Sequence, residues 1–251
     1  MKNLLTLLRD NQQVPRTPVN LVKNADGSEI TLYLYDVIAD GWGISAMDLI
    51  AALSQLDKTA TVRMRIKSPG GDVMEAKSMV VAMREFIDGG GRIIAQVDAV
   101  AASCASWVAL AANEVEISEG AFMMIHKAQG GAWGTDTEMR KMADVITMVE
   151  QSIVDLYAKT TGNSTEQLQQ WMTEETWFTA QEAVANGFAK RVIPLMSDQP
   201  SNQARLAWNL SAYEKAPDAL KNLAPADPPP LDVAAVMENN QRRLRLLDIN
   251  A

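Results

Sequence analysis

Between residues 30 and 97 the chain alternates strand-like and helix-like segments joined by short turns, and this alternation restricts the fold more than any other feature. Residues 30–38, ITLYLYDVI, are rich in β-branched and aromatic side chains and read as a strand. A Gly41-Trp42-Gly43 turn follows, and Ser45 caps a predicted helix from Ala46 to Leu56 whose Met47, Ile50 and Leu53 are spaced for one face. Val62 to Ile66 alternates as a second strand and stops at Ser68-Pro69-Gly70-Gly71. A helix to about Ile87, a Gly89-Gly90-Gly91 stop and a third strand from Arg92 to Val97 complete the series. Such βα repeats predict parallel strands joined by right-handed crossovers, an α/β class. Sites in these sheets gather at the carboxyl ends of strands. Three features lie at such ends: the Pro-Gly-Gly turn, Ala101-Ala102-Ser103, and His126 after the strand Phe122 to Ile125.

Farther along, a Gly130-Gly131 break precedes a long predicted helix from about Asp136 to Thr160, striped by Met142, Val145, Ile146, Val149, Ile153 and Leu156. It exceeds the average helix, so part of it is expected to project and to pack on another subunit. Ser164, with Gln167 at the box position, and Thr179, with Glu182, cap two further helices, the second ending at Asn186-Gly187. Seven of the ten prolines (Pro194, Pro200, Pro217, Pro225, Pro228, Pro229 and Pro230) fall after Val192. The expected organisation is an N-terminal arm (1–29), a main domain (30–193), a flexible Pro-rich linker (194–230) and a C-terminal amphipathic helix (231–251), solvated or docked on a partner.

With 47% hydrophobic residues the chain can bury a sizeable core, and a net charge of −8 argues against nucleic acid as a partner. One cysteine and one histidine exclude an intramolecular disulfide and a Cys/His zinc cluster. A carboxylate-only metal site stays open, and no cofactor is expected. The N-terminal MKNLLTLLRDNQQ is interrupted by Arg9 and Asp10 and does not read as a signal peptide. No stretch approaches the roughly 20 apolar residues of a membrane span, so no membrane partner and a cytoplasmic location are expected.

Nucleophilic hydrolysis needs a nucleophile, a base, a group that orients the base, and donors for the oxyanion. Ser103 opens an Ala-rich predicted helix, Ser103 to Ala112, where unpaired amides and the helix dipole favour developing negative charge. As a residue by itself it reads first as an N-cap. His126, the one histidine, is either the base or a buried structural residue. Gly70 and Gly71 allow close backbone approach for an oxyanion donor or a peptide-binding edge, or form a plain turn. Cys104 is a rival nucleophile.

Taken together, Ser68-Pro69-Gly70-Gly71, Ala101-Ala102-Ser103, Met124-Ile125-His126 with Gly130-Gly131, and Trp177-Phe178-Thr179-Ala180-Gln181-Glu182-Ala183 with Asn186-Gly187 resemble the proteolytic subunit family of Clp proteases. The match looks like its phage-encoded branch of head maturation, or prohead, proteases. The resemblance implies a ClpP/crotonase-like fold of repeated βαβ units with a projecting handle helix. It implies Ser103 as nucleophile, His126 as base, and the backbone amides of Gly71 and Cys104 as oxyanion donors. Gly70, Gly130 and Gly131 are implied on the substrate-binding edge. The orienting acid falls on Glu175, where better-known members carry Asp, with Glu174, Asp144 and Asp155 as competitors. Homo-oligomeric rings and a protein or peptide substrate are further implications, with capsid or scaffold protein as the phage substrate and the bacterial host cytoplasm as the location. The segment before residue 30 does not match the one that docks unfoldase ATPases, so an ATPase partner is not implied.

The expected function is therefore a serine endopeptidase of phage head maturation. Two alternatives compete: a crotonase-type acyl-CoA enzyme with an oxyanion hole and no nucleophile, and a catalytically degenerate assembly or scaffold protein.

Overall fold

Hydrophobic alternation along the strands sorts the sheet into a helix-covered face and a polar face. The computed structural model describes residues 6–7, 11, 19–23, 30–194 and 208–220. In chain order its elements are β1 (Asn20–Lys23), β2 (Ile30–Leu34), α1 (Ala46–Ser54), β3 (Thr61–Ser68), α2 (Val73–Asp88), β4 (Arg92–Ala102) and α3 (Cys104–Leu110). There follow β5 (Glu114–Ser118), β6 (Phe122–Ile125), α4 (Asp136–Thr161), α5 (Thr165–Thr173), β7 (Thr176–Thr179), α6 (Ala180–Ala185) and β8 (Arg191–Ile193).

The sheet runs β1-β2-β3-β4-β5-β8, with β6 branching from β4 and carrying β7 at its far edge. The predicted parallel β2, β3 and β4 are present, within the α/β class expected. The sheet is mixed, however: β1 on β2 and β7 on β6 are antiparallel. These strands are too short to show a period in the sequence.

Strand β4 runs past its predicted end at Val97 to Ala102, pairing with β5 through Ile94–Val97 and then with β6 through Val100–Ala102. Because Ala102 is in register with Met124, the residues that leave the two strands emerge side by side.

In β3, Val62, Met64 and Ile66 are buried beneath α2 and α3 with Met79, Met83 and Val108, while Arg63 and Arg65 take the opposite face. There the Arg65 guanidinium grips Asp98 with two bonds of 2.8 Å, Gln96 donates to Asp98 at 2.9 Å, and Tyr35 also donates to it. Arg63 and Arg191 pair with the two carboxylate oxygens of Glu116, one arginine on each. The apolar–basic alternation of β3 thus serves two faces at once.

Helix α1 departs from the expected face. Met47 and Ile50 are exposed, and the buried side chains are Ala46, Leu49, Ala52 and Leu53. Leu49 and Leu53, one turn apart, form the stripe.

Helix α4 begins at a Thr135–Glu138 capping box and ends at Gly162 in the left-handed conformation (φ 77°). Its buried residues are Ile153, Val154, Leu156 and Tyr157, all in the last third, while Met139, Val145 and Met148 are exposed. The first half is therefore largely exposed.

A second apolar cluster joins Leu7, Val37, Ala39, Val100, Ala102 and Met124 to Trp208, Leu210, Ala212 and Ala216. Residues 208–220, inside the stretch expected as a Pro-rich linker, are folded onto the end of the sheet. Burying side chains the size of Trp208 and Leu210 contributes about 1.5–3 kcal/mol each. The predicted C-terminal helix lies outside the described residues. Among the described residues no helix is long and apolar enough to cross a membrane.

Candidate active site

Ser103 sits where β4 breaks sharply into α3. Its backbone is left-handed (φ 55°, ψ −132°), a conformation that costs a non-glycine residue roughly 1–3 kcal/mol. The turn is held because the Ser103 amide donates to the Met124 carbonyl at 3.0 Å and its carbonyl accepts the Ser106 hydroxyl at 2.6 Å. Ser106 in turn meets the Tyr157 hydroxyl at 2.8 Å, tying the turn to α4. Ala101, Ala102 and Ala105 around it are fully buried, so larger side chains would not fit.

The Ser103 side chain makes no capping bond to α3. Its Oγ lies 2.7 Å from Nε2 of His126, which leaves β6 beside it. Burial holds the imidazole below its ordinary pKa, and the charge of Glu175 pulls the other way. A neutral ring that accepts from Ser103 through Nε2 carries its proton on Nδ1. The pair can pass a proton from hydroxyl to imidazole, which makes the serine oxygen a nucleophile.

Backbone amides complete the setting. A Cβ on Gly70 (φ 88°) would come within 2.5 Å of the Ala102 carbonyl oxygen and 2.7 Å of the Ser103 Cβ. One on Gly71 (φ 152°) would lie 2.0 Å from the Ile38 carbonyl oxygen. Only glycine brings this turn so close to Ser103. The backbone N–H groups of Gly71 and Cys104 favour the thiolate of Cys104. Burial, which outweighs those donors, pushes the Cys104 thiol up to about 12, so it stays protonated at neutral pH and is a poor rival nucleophile.

Glu175 is also left-handed (φ 51°), at the turn from α5 into β7. Its carboxylate accepts the Lys215 amide at 2.7 Å, the Glu214 amide at 3.1 Å and the Trp177 indole N–H at 3.2 Å. It makes no hydrogen bond to His126 and reaches the ring by charge through space. The competing acids engage elsewhere: Glu174 accepts from Gln170 and Asp155 from Gln151, while Asp144 lies on an exposed turn of α4.

Tyr213 is a site residue that the sequence did not mark. Its hydroxyl donates to the Pro69 carbonyl at 2.5 Å, and its ring meets His126 edge-on, with centroids 5.5 Å apart at 82°. The one hint in the sequence was the cluster Trp208-Asn209-Leu210-Ser211-Ala212-Tyr213, an aromatic and apolar island among prolines.

Beside Ser103 and His126 opens a cavity of about 410 Å³, lined among others by Val73, Met74, Trp107, Met142, Ile146 and Ile153. Gly130 and Gly131 lie on its wall, whereas Gly70 packs behind Ser103. Among the described residues no group of three or more His, Cys, Asp or Glu side chains could hold a metal ion.

Comparison with known proteins finds relatives of one kind. The chain is 28% identical over 143 residues to ATP-dependent Clp protease proteolytic subunit 2 of Thermobifida fusca, covering 56% of this chain and 69% of the relative. It is 30% identical over 146 residues to the subunit of the same name from Nocardia farcinica, covering 57% and 70%. With the Bifidobacterium longum subunit 2 it shares 22% over 192 residues, covering 76% and 91%. The Clp protease family model matches residues 19–195, from β1 through β8 and so across every strand and the Ser103–His126 pair, and the chain belongs to that family.

Proposed function

We propose that this chain is a serine endopeptidase in which Ser103 attacks the peptide carbonyl, His126 takes and returns the proton, and the amides of Gly71 and Cys104 receive the oxyanion. The observation that carries the reading is the 2.7 Å contact of Ser103 Oγ with His126 Nε2, made by a serine in a left-handed turn that caps nothing. Attack forms an acyl-enzyme and expels the amine, protonated by His126; water then enters through the same imidazole and releases the acid.

The acid of the triad is Glu175, whose negative charge favours the imidazolium formed during attack. The apolar cavity beside Ser103 suits a large hydrophobic side chain next to the cleaved bond. A role in phage head maturation, with capsid or scaffold protein as substrate, follows from the resemblance to the phage-encoded branch, and assembly into rings fits the largely exposed first half of α4.

Fluorophosphonate labelling followed by peptide mapping tests the reading. A single adduct on Ser103, lost in Ser103→Ala and His126→Ala, is the expected result. A folded, assembled protein that takes no label would instead be a degenerate assembly factor.

A further inference from the structure

We propose that Tyr213 is a positioning residue of the catalytic centre, brought there by residues 208–220, and that Glu175 acts partly by fixing that segment. The proposal rests on the peptidase reading.

Four contacts carry it. The segment is anchored by Trp208, Leu210, Ala212 and Ala216, all buried against β4 and β6 residues that lead into Ser103 and His126. Glu175 then fixes its backbone at two successive amides, those of Glu214 and Lys215. That places the Tyr213 hydroxyl on the Pro69 carbonyl, one peptide ahead of the Gly70-Gly71 turn. It also places the Tyr213 ring edge-on to His126, with Trp177, itself bonded to Glu175, 5.9 Å behind it.

The imidazole needs such a support. Its hydrogen bond among the described residues is to Ser103, and no carboxylate among them holds its other nitrogen. A ring fixed at Nε2 alone can swing about its side-chain torsions, and small misplacements of a catalytic base are costly in rate. Tyr213 restricts the ring by packing and steadies the glycine turn with one side chain. Its hydroxyl remains a donor throughout the working range, because burial raises its pKa.

The charged groups around His126 are few. Glu175 faces it from the turn before β7, Lys127 beside it is paired with Glu150 at 3.5 Å, and Asp72 lies across the cavity.

Because His126 is the one histidine, its imidazole NMR signals need no assignment, and the full-length chain can be titrated directly. Tyr213→Ala should raise the titration midpoint of His126 as the ring loses its cover, and should slow fluorophosphonate labelling of Ser103 on the order of 10- to 100-fold. Tyr213→Phe keeps the ring and loses the Pro69 bond, so the midpoint should hold while labelling slows by about fivefold, one ordinary hydrogen bond. If circular dichroism shows the alanine variant unfolded, Tyr213→Leu takes its place. Faster labelling in these variants would mean that the segment obstructs the site, and an unchanged rate with an unchanged midpoint would mean that Tyr213 is a bystander; either overturns the proposal. A wild-type chain that takes no label overturns the peptidase reading instead, and the midpoint then decides whether Tyr213 holds His126.

Discussion

Ser103 and His126 stand 23 positions apart in the chain and 2.7 Å apart in space, because β4 and β6 run parallel with Ala102 beside Met124. The contact is thus a property of strand register. It sets the first expectation, which separates chemistry from stability.

Ser103→Ala removes the proposed nucleophile and no capping bond, so it should lower peptidase turnover by about 10³-fold or more while leaving the melting temperature nearly unchanged. Ser103→Gly should be equally inactive yet more stable, since glycine accepts φ 55° without strain; a gain of about 1 kcal/mol is expected in urea titration. A large loss of stability in either variant would contradict the geometry of the turn.

The pH profile should follow His126. Burial keeps its folded pKa below the ordinary value of about 6.5, so the imidazole remains a base into mildly acidic solution. The rate of Ser103 acylation should rise with pH through a midpoint below that value. Stability has the matching sign: the unfolded chain binds the extra proton, so this contribution is present above the unfolded pKa and is lost as pH falls below it. Acylation rates and urea midpoints measured from pH 4 to 8 check both.

Glu175→Gln removes the charge that favours the imidazolium and weakens the acceptors of Glu214 and Lys215. The His126 midpoint should fall, and acylation should slow by about 10- to 100-fold, less than removal of Ser103. Glu175→Ala should in addition cost about 1.5–3 kcal/mol in urea titration, the range for hydrogen bonds to a charged group. A His126 midpoint that does not move in Glu175→Gln would show that the carboxylate is electrostatically remote.

Gly71→Ala would force a Cβ to 2.0 Å from the Ile38 carbonyl oxygen and shift the proposed oxyanion amide. Loss of activity together with a lowered urea midpoint is expected, whereas Cys104, with a protonated and buried thiol, should resist iodoacetamide in the folded protein. Rapid alkylation of Cys104 would point back to a thiolate nucleophile.

Much of this site was legible in the chain alone, and the reason the rest was hidden is physical. Turns and strand ends are local, so Gly70-Gly71, Ser103 and His126 could be read as neighbours in one βα series, and the spacing of Ser164 with Gln167 and of Thr179 with Glu182 marked helix starts at which both residues do cap. The face of α1 was misread because two apolar stripes compete there and only packing chooses between them. Ser103 could have been a cap or a nucleophile until its backbone torsion turned the side chain away from α3.

By itself, then, the sequence determined the α/β alternation, the glycine turn and the identity of the serine and the histidine, since these depend on local propensity and on residue type. Only the tertiary structure decided where Glu175 spends its carboxylate and that Tyr213 reaches His126. Both depend on contacts across 39 or more positions, between Glu175 or Pro69 and a segment whose prolines hide its docking. No periodicity along a chain encodes a contact of that kind, because it is made by burial against a surface that exists only after the sheet has formed.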